Sequence, residues 1–209
     1  MPKCMQHWNG NQVCVIDTET TGLEPGWHDM VQVCILPLDS NFEPRQDVIP
    51  FYLNLKPDSP ERADPQALKI NGLKLAELAI KGIDTEKAKD LLDAWIEKLD
   101  LPYTKYGNRK RIIPLGQNYS FDLGFMKAWL GVDRYGELFD YHYRDTMPAA
   151  LYLNDRAAMH AESVPFPKVN LRYLASTLKI PYERKHDALE DCRVTAVVYK
   201  RMVEQGLLG

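Results

Sequence analysis

Two carboxylates stand two residues apart in Val15-Ile16-Asp17-Thr18-Glu19-Thr20-Thr21-Gly22-Leu23. On a strand, alternation sends Asp17 and Glu19 off the same face with their backbones about 6.5 Å apart. Carboxylates so placed repel each other, and a pair of divalent ions resolves that repulsion, because Mg²⁺ and Mn²⁺ prefer oxygen ligands. Taken alone, D-x-E fits equally a turn beginning at Asp17 with Glu19 in solvent.

Two further stretches carry matching chemistry. In Pro114-Leu115-Gly116-Gln117-Asn118-Tyr119-Ser120-Phe121-Asp122-Leu123-Gly124-Phe125-Met126 a buried strand ends at Gln117 and a turn holds Asn118. Asp122 then falls in the first turn of a helix, where the positive end of the dipole favours a carboxylate. The plainer role for it is a better cap. In His186-Asp187-Ala188-Leu189-Glu190-Asp191 the last acid lines up with Val194, Val198 and Met202 at helical spacing, at the head of an apolar stripe. A carboxylate facing a core needs a partner. His186 sits on the loop just before that helix, above the same spot, whereas His7, His28, His142 and His160 read as structural or exposed.

Three β-rich runs must come first, Val13 to Asp17, Met30 to Leu38 and Val48 to Leu55, joined by short turn-rich segments as an antiparallel meander. Helical pieces follow over 64–79, broken at Asn71 and Gly72. Asp84 then caps a longer helix with Ala88, Leu91, Leu92, Trp95, Ile96 and Leu99 on its packing face. Ile112 to Leu115 reads as a strand, and Ser120 as the cap of a helix carrying Phe121, Leu123, Phe125, Met126 and Trp129. A short strand near Tyr141 to Tyr143 leads to a helix capped by Asp145 and running towards Met159. The stretch from His160 to Lys168 reads as a surface loop. Asn170 caps a helix through Leu178, and the last helix runs from about Ala188 to Gln205 with Gly206 as its stop. Strands first, then alternating helices and strands, give an α/β chain with a mixed sheet and helices on its faces.

DTETTGL, N-x-x-F-D-L-G-F and H-D-A-L-E-D, in this order, resemble the three motifs of the DEDDh (DnaQ-like) 3′→5′ exonucleases. That family includes the epsilon proofreading subunit of bacterial DNA polymerase III, ribonuclease T and oligoribonuclease. The resemblance runs from about Val13 to Val203, and Ile70-Asn71-Gly72-Leu73 is similar to a further segment of the family. Tyrosine-type relatives place a tyrosine four residues before the last aspartate; position 187 is Asp, which indicates the histidine subtype.

The resemblance implies a ribonuclease H-like fold with a five-stranded mixed sheet, its first three strands antiparallel. It also implies that Asp17, Glu19, Asp122 and Asp191 hold two Mg²⁺ or Mn²⁺ ions and that His186 takes the proton of the attacking water. An imidazole, with an unperturbed pKa near ~6.5, suits that role. For substrate contacts it suggests Thr18, Thr20 and Thr21 at the terminal 3′-hydroxyl, Leu23 beside the last base, and Asn118 and Phe121 near the strand, with a core role for Phe121 equally open. Where many relatives have His-Asn, this chain has Gln117-Asn118.

Composition agrees with a single domain of 209 residues, long enough to bury about 70% of its unfolded surface. Cys4, Cys14, Cys34 and Cys192 show no C-x-x-C pair, so neither a zinc site nor a disulfide framework is signalled, and Cys14 and Cys34 read as small core residues. With no leader or membrane span evident, a cytoplasmic setting fits. A net charge of −3 argues against gripping long duplexes but not against holding a few terminal nucleotides. The basic run Lys105, Arg109, Lys110 and Arg111, with Tyr103 and Tyr106, reads as a solvated lead-in to a strand before a phosphate-binding loop.

The expected partner is the 3′ end of a single nucleic-acid strand. DNA is favoured over RNA on the epsilon-like N-x-x-F-D-L-G-F, with trimming of RNA ends or short oligoribonucleotides as the alternative. The sequence ends 18 residues after Asp191, so a free-standing trimming enzyme is expected ahead of a polymerase subunit with a binding tail. A catalytically silent nucleic-acid-binding or scaffold protein on the same fold is the rival of another class, and the five filled positions speak against it.

Overall fold

The computed structural model describes the backbone of residues 6–7, 10–183 and 186–207 and the side chains of 10–183 and 186–206; Cys4 and the His7 side chain lie outside the described residues. Strands are β1 (Gln6–His7), β2 (Asn11–Thr20), β3 (Met30–Pro37), β4 (Phe51–Asn54), β5 (Ile113–Gly116) and β6 (Arg144–Asp145). Helices are α1 (Pro65–Asn71), α2 (Leu75–Lys81), α3 (Thr85–Glu97), α4 (Tyr119–Leu130), α5 (Val132–Leu138), α6 (Thr146–Met159), α7 (Leu171–Thr177) and α8 (Ala188–Leu207).

The main sheet has five strands in the order β4-β3-β2-β5-β6, and the two-residue β1 pairs with the start of β2. β2, β3 and β4 are antiparallel neighbours; β5 and β6 continue the sheet in parallel. This is the expected mixed sheet.

Helices cover both faces because β2 is apolar on both. Val13 and Val15 pack with Ala188, Cys192 and Ala196 of α8, while Cys14 and Ile16 pack in a second cluster with Leu92 of α3 and Phe125 and Met126 of α4. Small residues four apart on α8 bring that helix close to the sheet. Its other face, Val194, Val198 and Met202, is buried with Leu153 of α6 and Leu174 of α7, as the apolar stripe anticipates. Cys14, Cys34 and Cys192 are buried and unbridged. Among the described residues no helix is long and apolar enough to cross a membrane.

Several local expectations need correction. Leu91 is 38% exposed, outside the packing face of α3, which holds Ala88, Leu92, Trp95 and Ile96. Helix α4 starts before Ser120: Asn118 takes the cap position in a left-handed conformation (φ 60°), and the Asp145 carboxylate accepts from the backbone N–H groups of Asn118 and Tyr119 at 3.0 and 2.7 Å. Asp145 also caps its own helix by accepting from Met147 N, so one carboxylate serves two helix ends. The short strand is Arg144–Asp145, later than Tyr141, because Asp140 turns the chain by accepting from His142 N. The 160–168 loop is not wholly at the surface: Phe166 is buried, with its backbone pinned by both atoms of the Asn154 amide. Helix α8 passes through Gly206 to Leu207.

Phe125 lies one turn beyond Asp122 on α4 and is 2% exposed against the sheet. Phe125→Ala is expected to cost about 3–5 kcal/mol in urea unfolding; a cost below about 1 kcal/mol would contradict this seating of α4 against the sheet.

Candidate active site

Alternation along β2 puts Asp17 and Glu19 on the face that carries Val13 and Val15, towards α8. The pairing of β5 with β2 is registered only as far as Val15 opposite Leu115, so the end of β2 projects beyond its parallel neighbour. Asp122, in the first turn of α4, fills that gap: its Oδ1 accepts from both the backbone N–H and the hydroxyl of Thr18, each at 2.8 Å. Asp191 occupies the first turn of α8. Two helix N-termini thus supply one carboxylate each beside the strand pair, where their dipoles favour negative charge.

Glu19, His186 and Asp191 each offer a ligand atom, all within 4.8 Å of one another. His186 is exposed and left-handed (φ 62°), at the turn entering α8. That turn is clamped from the sheet. Gln32 Oε1 accepts from Ala188 N at 2.8 Å, the Gln32 amide donates to Asn54 Oδ1, and the Tyr52 hydroxyl donates to Asp187 Oδ2 at 3.0 Å. Asp187 in turn accepts from Glu190 N. The Tyr182 hydroxyl donates to Asp191 Oδ1 at 2.7 Å. Gln32, Tyr52 and Tyr182 carried no signal in the sequence, because a lone polar residue in a strand or loop is shown to matter only by partners 9 to 156 positions away.

The electrostatics are those of crowded acids. Burial, then Asp122, Asp191 and Glu19, holds the Asp17 carboxyl well above the usual carboxylate range, although Asp17 keeps partial solvent exposure. Burial with Asp191 and Asp122 pushes Glu19 up to about 8. Burial raises Asp122 to about 7 against the pull of its Thr18 bonds, and Asp191 to about 6 against that of Tyr182. Among the described residues no lysine or arginine forms an ion pair with any of the four. An all-carboxylate donor set with one imidazole at its margin fits hard divalent cations.

The remaining candidates surround this cluster. Thr20 Oγ1 donates to Gly22 O, and Thr21 Oγ1 accepts from Asp29 N, so both hydroxyls shape the turn after β2. Gly22 packs directly under the His28 ring: a Cβ there would stand 2.1 Å from it, so the ring would have to shift. Asn71 ties α1 to the strand end by donating to Thr20 O. Leu23 is 73% exposed just beyond the turn, and Asn118 is exposed. Phe121 is half-buried with its ring 5.0 Å from Phe125, mostly a core contact. Gln117 is spent inside, donating to Val169 O and accepting from Thr146. In the basic run, Arg109 pairs with Glu97.

Because Glu19 ionises at about 8 in the fold against a reference of 4.5, the folded chain binds more protons than the unfolded one between those values. Metal-free stability therefore falls as pH rises through that window. Glu19→Gln removes the loss. In chelator-treated protein it is expected to melt above the parent at pH 8 and to lose that advantage towards pH 5, by calorimetry; a lower melting point at pH 8 would oppose this electrostatic picture.

Comparison with known proteins identifies the fold and the family. The chain is 28% identical over 203 residues to the DNA polymerase III subunit epsilon of Haemophilus influenzae, covering 93% of this chain and 68% of that protein. Its fold is similar to E. coli exonuclease I in complex with a dA16 oligonucleotide, with TM-score 0.68 and 20% identity over 93% of this chain and 41% of that one. It is also similar to cell-death related nuclease 4, with TM-score 0.68 and 16% identity over 96% of this chain and 66% of that one. The chain thus spans about two thirds of the epsilon subunit and two fifths of exonuclease I. These likenesses agree with a ribonuclease H-like fold. The family model described as an exonuclease of the RNase_T type matches residues 14–199, most of the chain, and the protein belongs to that family.

Proposed function

We propose that this chain removes nucleotides from the 3′ end of single-stranded DNA, releasing nucleoside 5′-monophosphates in a reaction that needs divalent metal. The observation that carries this reading is the convergence of Asp17, Glu19, Asp122 and Asp191 from three elements, with His186 at their margin. These four side chains would hold Mg²⁺ or Mn²⁺. Two such ions, when bound, would activate a water for attack on phosphorus and neutralise the leaving oxygen.

The chain's own groups supply the rest. His186, exposed beside Glu19 and Asp191, accepts the proton of the attacking water. Leu23 offers an apolar face to the terminal base. Thr18 and Thr20, nearly buried, keep acceptor capacity on their engaged hydroxyls for a terminal 3′-hydroxyl, while Thr21, with no exposed surface, shapes the turn beside them. Asn118 and the open edge of Phe121 flank the path of the strand. DNA is preferred to RNA because exonuclease I, a protein of the same fold, is held with a DNA oligonucleotide.

The test is hydrolysis of 5′-labelled single-stranded DNA and matching RNA in Mg²⁺, in Mn²⁺ and in chelator. A ladder shortening from the 3′ end, stopped by chelator and by Asp17→Ala, is expected, and His186→Ala should lower kcat by about 10²–10⁴. Hydrolysis that survives chelation sinks the metal requirement. Immediate release of the labelled 5′ nucleotide reverses the polarity, and faster loss of RNA reverses the substrate preference.

A further inference from the structure

We propose that Tyr182 is a positioning residue that fixes the Asp191 carboxylate for metal binding, an inference that rests on the metal-dependent reading above. Its hydroxyl donates to Asp191 Oδ1 at 2.7 Å, at the end of the cluster where Asp191, Glu19 and His186 approach within 4.8 Å. One phenol proton occupies one lone pair of a carboxylate that has about four, so Asp191 keeps acceptor sites for a cation while losing its freedom to rotate.

The phenol itself is delivered from a fixed point. Helix α7 ends with Lys179 left-handed (φ 56°), Lys179 N donating to Ser176 O at 3.1 Å and Ile180 N donating to Ala175 O at 2.8 Å. This is the paired-bond C-terminal stop usually built on glycine. Pro181 follows and restricts the chain, and the Tyr182 ring packs against the core shared by α6, α7 and α8. The hydroxyl is therefore held by backbone on one side and core on the other, with Asp191 as its partner. Groups that orient a metal ligand in this way typically change metal affinity 10- to 100-fold when removed.

Tyr182→Phe keeps the ring and deletes only the donor. Titration of the metal-free protein with Mn²⁺ by calorimetry is expected to give a dissociation constant 10- to 100-fold weaker than the parent's. The Mn²⁺ concentration for half-maximal hydrolysis should rise in parallel, with kcat at saturating metal within a few-fold of the parent. A purely structural role would lower the melting temperature of metal-free protein and leave Mn²⁺ affinity unchanged, which overturns the proposal. So would tighter binding, since the phenol would then compete with the ion. Parent protein that binds no Mn²⁺ and hydrolyses DNA in chelator removes the underlying reading as well, and is distinguished by the parent's own titration.

Discussion

Four carboxylates from β2, α4 and α8 crowd together at the end of one central strand, and no lysine or arginine pairs with any of them among the described residues. Burying one unpaired charge is costly, and burying several of the same sign multiplies the cost. The fold answers this in two ways. It aims the N-termini of α4 and α8 at the cluster, and it surrounds the acids with donors, Thr18 on Asp122 and Tyr182 on Asp191. Neither removes the repulsion, which is why burial and neighbouring acids hold these groups above their ordinary range. On the proposed function, the site would trade stability of the metal-free chain for affinity towards a doubly charged cation.

The scaffold around this constraint is stiff where it needs to be. β2 is anchored on both faces by apolar residues, and α8 lies close to it because Ala188, Cys192 and Ala196 are small. The turn carrying His186 is fastened to β3 and β4 through Gln32 and Tyr52, so a residue on an exposed loop is referenced to the sheet. Asp145 ties the entry of α4 to β6 and thereby fixes Asp122 relative to β2.

Much of this is legible in the sequence, for physical reasons. Alternation in Val13-Cys14-Val15-Ile16-Asp17-Thr18-Glu19 predicts both the buried strand and the shared face of its acids, since period two is intrinsic to a strand. The stripe Asp191, Val194, Val198 and Met202 predicts how α8 packs. What stays hidden depends on partners far along the chain. The cap of α4 comes from Asp145, 26 residues beyond Tyr119, so the local pattern at Ser120 points to the wrong residue. Phe166 sits in a proline-bearing loop yet is buried, because Asn154 satisfies its backbone there. Tyr182 lies in a loop with no periodicity, and only the fold brings it to Asp191.

The central claim is that the cluster holds protons until a divalent cation displaces them, and proton release on binding reads this directly. Mn²⁺ titration by calorimetry in buffers of differing ionisation enthalpy gives the number released. With Glu19 at about 8 and Asp122 at about 7, the account predicts release of more than one proton at pH 6.5 and a clear decline towards pH 9. Binding with no proton release at pH 6.5 would contradict it.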